Sequence, residues 1–349
     1  MQTQLELVLD DLELSVPSVR RALELSNRRI ESGRRHLVDS GVTCQSGDIL
    51  AFGSLARREA TDESDFDYLV LVDGIPEDPD APGELLRRAD HLRTIWAVEQ
   101  GHQGDQADLA VKKPGTSGLF ATVVGAFDLI EQVGLERDTN HSLTRRMLLL
   151  EESVSLFNAY VRTRVVSAAL DRYLVLPGVR PEATPRYLLN DVIRYWRTVS
   201  VDYQAKANAL ENSGLRYVKL LIPRKIQFAS MLMSLLLCGR LDGHRATRES
   251  LSAQLDLPPL ARLLAGAAVA RREVRESMRQ VATIMDWYLE KSADGAWRSA
   301  VGERPINDHN GTEEYEEARV KAKQLQLHLE VIFFEWDLVS HETRSKLVF

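Results

Sequence analysis

The chain has 349 residues, 44% of them apolar and 27% charged, with a formal charge of -7. That length admits two domains with sizeable cores. The balance excludes a disordered or fibrous chain and a uniformly basic nucleic-acid coat, although not a local basic groove.

Two cysteines, Cys44 and Cys238, are too few for a disulfide framework and predict a reducing, cytoplasmic setting. The amino terminus MQTQLELVLDDLELS is acidic where a secretory leader is basic. The apolar run from Met231 to Cys238 is far shorter than the roughly 20 residues that cross a bilayer, so no membrane association is expected.

In chain order, Pro17 in a first turn, apolar Val19, Leu23 and Ile30, and Gly41 beyond the end predict a helix over 16–39. Arg20, Arg21, Arg28, Arg29, Arg34 and Arg35 make that helix basic. A solvated face is the simpler reading, and a polyanion contact the alternative. Strands are predicted over 49–52 and 66–72, followed by the acidic, proline-rich loop 73–84. A helix over 84–99 buries Leu85, Leu86, Ala89, Leu92, Ile95 and Trp96. The alternation A-D-L-A-V at 107–111 predicts a strand with Asp108 and Leu109 on opposite faces.

Beyond residue 118 the periodicity is helical, over 119–133, 142–174, 188–209, 215–237, 257–291 and 313–338. The predicted class is therefore α+β. A small mixed sheet with the N-terminal helix packed on it occupies 1–130, and a large all-α region occupies 131–349.

The stretch joining the first two predicted strands carries the chemistry. Asp65 and Asp67, at i and i+2 entering a strand, project from one face. Two adjacent carboxylates repel unless a cation lies between them. Magnesium characteristically takes one or two carboxylates together with substrate phosphates. Gly53-Ser54, at the end of the preceding strand, lets backbone N–H groups approach an anion closely. No HExxH, P-loop, GxGxxG or Cys/His cluster competes with this reading.

Gly53, Ser54, Arg57 or Arg58, Glu59, Thr61, Ser64, Asp65 and Asp67 fit GS-x-x-R-x-E-x-T-x-x-S-D-x-D. This resembles the signature of the nucleotidyltransferase superfamily that includes DNA polymerase beta, in particular its stand-alone bacterial members. Two later segments, 136–153 and 188–202, resemble regions that follow the core in such proteins.

The resemblance implies NMP or dNMP transfer from a nucleoside triphosphate to a hydroxyl, releasing pyrophosphate, with two Mg²⁺ (or Mn²⁺) ions. It implies Asp65, Asp67 and a third carboxylate as catalytic metal ligands. Asp108 is the candidate for the third, and Asp105 the alternative. It implies Gly53, Ser54, Arg57 (or Arg58) and Ser64 on the nucleotide, with helical cations, here Lys219 and Lys225, on the triphosphate. Tyr195, Trp196, Tyr203 and Tyr217 are either stacking residues or core.

The implied acceptor is an RNA or single-stranded oligonucleotide end, or another nucleotide. A groove lined by Arg145, Arg146, Arg194, Arg197 and the cations at 216–225 would guide it. The setting the resemblance suggests is a toxin or anti-phage system, with a cognate antitoxin or effector as partner and a homo-oligomer admitted. Modification of a protein or small molecule, or a catalytically silent nucleotide-binding regulator, stands as the alternative.

Overall fold

The computed structural model describes residues 2–99, 118–174, 184–206, 212–238, 248–302 and 311–348. In chain order the elements are α1 (Gln4–Asp11), α2 (Pro17–Asp39), β1 (Gly47–Ala51), α3 (Gly53–Ala56), β2 (Tyr68–Val72), α4 (Ala81–Glu99), β3 (Val123–Gly125), α5 (Ala126–Ile130), α6 (Asn140–Glu151), β4 (Val154–Ser155) and α7 (Ala159–Leu174). There follow α8 (Arg186–Lys206), α9 (Ser213–Leu221), α10 (Pro223–Leu237), α11 (Arg248–Leu255), α12 (Pro259–Leu263), α13 (Arg272–Ser292), α14 (Gly295–Gly302), α15 (Glu313–Glu330) and α16 (Asp337–Thr343). Two π-helical turns, Val331–Glu335 and Arg344–Val348, flank α16.

The fold is α+β, with two compact units: residues 22–176, and residues 1–21 together with 177–349. The division falls within α2. The first unit holds a mixed sheet of order β3-β2-β1-β4 among the described residues. β1 is antiparallel to both β2 and β4, and β2 is parallel to β3. Because the fourth strand comes from Val154–Ser155, this unit extends past the boundary expected near residue 130.

Alternation fixes the two faces of the sheet. Ile49, Ala51, Phe66, Tyr68, Val70 and Val72 point into one core, where α2 contributes Ile30 and Leu37 and α4 contributes Leu85, Ala89, Leu92 and Trp96. Phe66 stacks on Tyr68 with ring centroids 4.9 Å apart and meets Trp96 edge-on at 4.7 Å. α7 packs on β1 and β2 as well.

Two short strands depart from the helical expectation. β3 interrupts the helix predicted over 119–133, and β4 breaks the one predicted over 142–174. Runs of three and two residues are too short to carry a period of two. The predicted strand at 107–111, with Asp108, lies outside the described residues.

Of the α2 arginines, Arg21, Arg28 and Arg35 are exposed, as a solvated face predicts, and Arg29 departs from it. The Arg29 guanidinium is buried and donates to the carbonyl of Thr61, and Arg34 donates to that of Ser155. Arg20 pairs with Asp10.

In the helical unit α10 is the central element, buried along nearly its whole length and packed by α12, α8, α9, α11 and α16. α13 packs on α15. The predicted helix 215–237 breaks at Ile222, ahead of Pro223, which cannot donate a hydrogen bond to the preceding turn. By length and composition Ser213–Leu237 qualifies as a membrane span, yet 72% of its apolar window is buried inside the protein. The first turn of α2 is capped from a distance: the Ser18 and Val19 N–H groups donate to Asp286 Oδ1 at 2.7 and 2.9 Å. Both cysteines are free thiols and buried.

Asp48 in β1 is completely buried, and its Oδ1 accepts the N–H groups of Phe157 and Asn158 at 3.1 and 2.7 Å, fixing the approach to α7. Burial pushes its carboxyl above the ordinary range, against the pull of those hydrogen bonds. Between an unfolded pKa of about 3.9 and the higher folded value, the folded chain holds the extra proton. The Asp48 contribution to stability therefore falls as pH rises through that window, and it is level above it. Asp48→Asn keeps the accepting oxygen and abolishes this titration. Urea unfolding across pH should show the variant at least as stable as the parent at pH 7, without the Asp48-dependent decline.

Candidate active site

The site is built where β1 ends and β2 begins. The antiparallel register pairs Ala51 with Tyr68, and the next backbone hydrogen bond, Phe52 N–H to the Asp67 carbonyl at 2.9 Å, carries the pairing one step further. Phe66 and Tyr68 point into the core, so Asp65 and Asp67 lie on the opposite side of the chain. Asp65 is exposed and Asp67 half-buried.

Gly53 follows Phe52 with φ +65°, in the left-handed region that glycine adopts without strain. A Cβ at this position would lie 3.2 Å from Asp67 Oδ2. The glycine thus brings the turn backbone directly against the carboxylate. The next residue, Ser54, has a buried Oγ with no hydrogen-bond partner among the described residues. A buried hydroxyl without a partner is uncommon and fits a site whose partner is a ligand atom. The glycine turn and Asp67 thus meet at the end of β1, with Ser54 next in the chain.

The loop from 57 to 64 is braced by residues distant in sequence. Arg57 is buried, its Nε donating to Glu59 Oε2 at 2.7 Å and its Nη1 to Glu152 Oε2. Burial alone would lower the pKa of this guanidinium, but the two carboxylates outweigh it and raise it. Its donor fork is directed at these two acids and is not spread on an open surface. Arg58 also has positive φ, +63°, and donates to Asn27 Oδ1 and to the carbonyls of Leu55 and Ala56. Burial, with Arg34 and Arg162 nearby, brings its pKa down to about 10.

Ser64 closes a turn with Thr61, whose N–H donates to Ser64 Oγ at 2.9 Å. Ser26 of α2 receives the Ala60 N–H at 3.2 Å and donates to the Ala22 carbonyl. Ser26, Asn27, Arg29 and Glu152 are therefore parts of the site's scaffold that no local motif marks.

Arg145 and Arg146 belong to the sheet unit, and Lys219 and Lys225 to the helical unit. Arg146 is fully buried, with a bidentate pair to Asp138 at 3.1 and 2.8 Å and a bond to the Tyr173 hydroxyl at 2.7 Å. It is a core strut and does not line a groove. Arg145 donates to the Gly118 carbonyl. Lys219 and Lys225 belong to the helical unit, on α9 and α10, where Lys225 Nζ donates to Gln326 Oε1 at 3.0 Å. There Trp196 stacks on Phe228 and Tyr203 on Tyr217.

Among the described residues no group of three or more potential ligands is preassembled for a metal. Asp65 and Asp67 lie two residues apart on the side of the chain away from Phe66 and Tyr68. In comparisons with known proteins, no family model matches the chain and no curated protein matches it.

Removing the Arg57 cation takes from the buried Glu59 and Glu152 the positive charge they share. Breaking one side of such a buried pair costs about 3–5 kcal/mol. Arg57→Met should lower the unfolding free energy by that amount in denaturant titrations. Arg87→Met, on an exposed ion pair with Glu84, should change it by less than about 1 kcal/mol.

Proposed function

We propose that the chain is a nucleotidyltransferase that moves an NMP or dNMP from a nucleoside triphosphate to a hydroxyl and releases pyrophosphate. The observation that carries this reading is the approach of Gly53 to Asp67: the Cβ-free turn lies against a metal-type carboxylate, with the partnerless Ser54 Oγ next in the chain. Such an arrangement suits a ligand whose oxygens contact backbone and hydroxyl donors on one side and a carboxylate-held cation on the other. A triphosphate with a divalent cation has this form.

In this reading Asp65 and Asp67 hold Mg²⁺, and the glycine turn with Ser54 holds phosphate oxygens. Asp108 remains the proposed third carboxylate. The cation would supply charge neutralisation for the phosphates and for the departing pyrophosphate. The bond formed joins the acceptor oxygen to the α-phosphorus, and the bond broken is that phosphorus to its bridging oxygen. The acceptor proton leaves to a base or to water. Arg57 serves as a brace for the turn, and Ser64 as the closure of the loop that delivers Asp65. The resemblance of 53–67 to the polymerase-beta-like signature supports the same reading, with an RNA or oligonucleotide end as the proposed acceptor.

The test is pyrophosphate release by the full chain with Mg²⁺, each NTP and dNTP, and total RNA as acceptor. Asp67→Asn should reduce release by more than roughly 100-fold, beyond what loss of an outer-shell partner costs. Binding of triphosphates without release from the parent chain would leave a nucleotide-binding regulator. Release that persists unchanged in Asp67→Asn would overturn the assignment.

A further inference from the structure

The helical unit contains a cleft of about 200 Å³ to which α8, α10, α15 and the first π-helical turn contribute. Its walls include Trp196, Phe228 and Phe333. Trp196 and Phe228 stack at 5.1 Å between centroids with 15° between their planes. Set against these walls is a short polar chain. Lys225 Nζ donates to Gln326 Oε1 at 3.0 Å, and Gln326 Nε2 donates to Glu330 Oε1 at 2.9 Å. The order is ammonium, amide, carboxylate.

The chemistry of a fitting ligand follows from these parts. An ammonium has three donors, and Lys225 makes one hydrogen bond among the described residues, to a neutral amide oxygen. Burial lowers its pKa, with Glu330 opposing that shift, so an acceptor brought to the ammonium would replace lost solvation. At the other end Glu330 offers acceptor capacity. A simple anion would use Lys225, be opposed by Glu330 and leave the aromatic walls uncovered. An alkyl chain would use the walls and neither charge. A flat ring with an acceptor beside an N–H donor uses all of them.

Pockets for drug-sized ligands span roughly 300–1,000 Å³, so this cleft admits a ring system and not a whole nucleotide. It also adjoins the π-helical turn Val331–Glu335, which supplies Phe333. Such turns are rare and recur at functional sites.

We propose that this cleft binds a nucleobase, with the ring against the aromatic walls, its carbonyl or ring-nitrogen acceptor toward Lys225 and its N–H edge toward Glu330. The site belongs to the helical unit alone and does not depend on the carboxylate site.

The test uses the full chain in EDTA, titrated calorimetrically with guanosine, adenosine, cytidine and uridine, which carry no phosphate. Saturable binding of at least one of them at one site per chain is expected. Lys225→Met combined with Glu330→Gln should weaken it roughly tenfold or more, at an unchanged melting temperature. Trp196→Leu should remove the ligand's saturation-transfer signal in NMR, which gives a second readout should the double variant unfold. Asp67→Asn should leave the affinity as it is. Absence of saturable binding by all four nucleosides, binding insensitive to the cleft variants, or binding lost in Asp67→Asn would each overturn the proposal. Pyrophosphate release is measured separately, so either reading can fail while the other stands.

Discussion

The buried ion triad of Arg57 with Glu59 and Glu152 is the constraint on which the carboxylate site rests. Arg57 follows the glycine turn by four positions, while Glu152 follows the last residue of α6, which leads into β4. One guanidinium therefore ties the loop after β1 to the segment that completes the sheet on β1's other edge. A charge removed from water in this way is tolerated because both sides of the pair are present and hydrogen-bonded. Ser26, Asn27 and Arg29 of α2 hold the same loop from another direction. The turn is thus fixed from several sides.

The sequence reveals those features whose signal is local. β1 and β2 announce themselves by apolar runs and by the alternation of Phe66 and Tyr68 with Asp65 and Asp67, which also determines the side on which the aspartates emerge. α2 and α4 follow from their spacing of apolar residues. β3 and β4 escape because pairing, and not composition, makes them strands: Val70 accepts Val123 as neighbour, and Leu50 accepts Ser155. Arg57 is recognisable as part of a motif, but its partner Glu152 stands 95 residues away and has no distinguishing neighbours. Arg146 shows the same limitation, since an Arg-Arg pair on a helix reads as surface until Asp138 and Tyr173 are seen to enclose one member.

The two units use charge in different ways. In residues 22–176 the buried Arg29, Arg57 and Arg146 act as internal ties, bonded to acids or to a backbone carbonyl. In the helical unit the core is apolar along α10, and ion pairs such as Arg271 with Glu335 lie on exposed side chains. Exposed pairs contribute little to stability.

The cap that Asp286 places on the first turn of α2 has a temporal consequence. It joins positions 268 residues apart, and the first 21 residues belong to a compact unit otherwise drawn from residue 177 onward. During synthesis the first turn of α2 has to wait for a residue made 268 positions later before its N–H groups meet this acceptor. Residues 22–176 form their compact unit from a single continuous segment. The sheet unit can therefore form while the first turn of α2 still lacks its cap, which is completed only when α13 has been made.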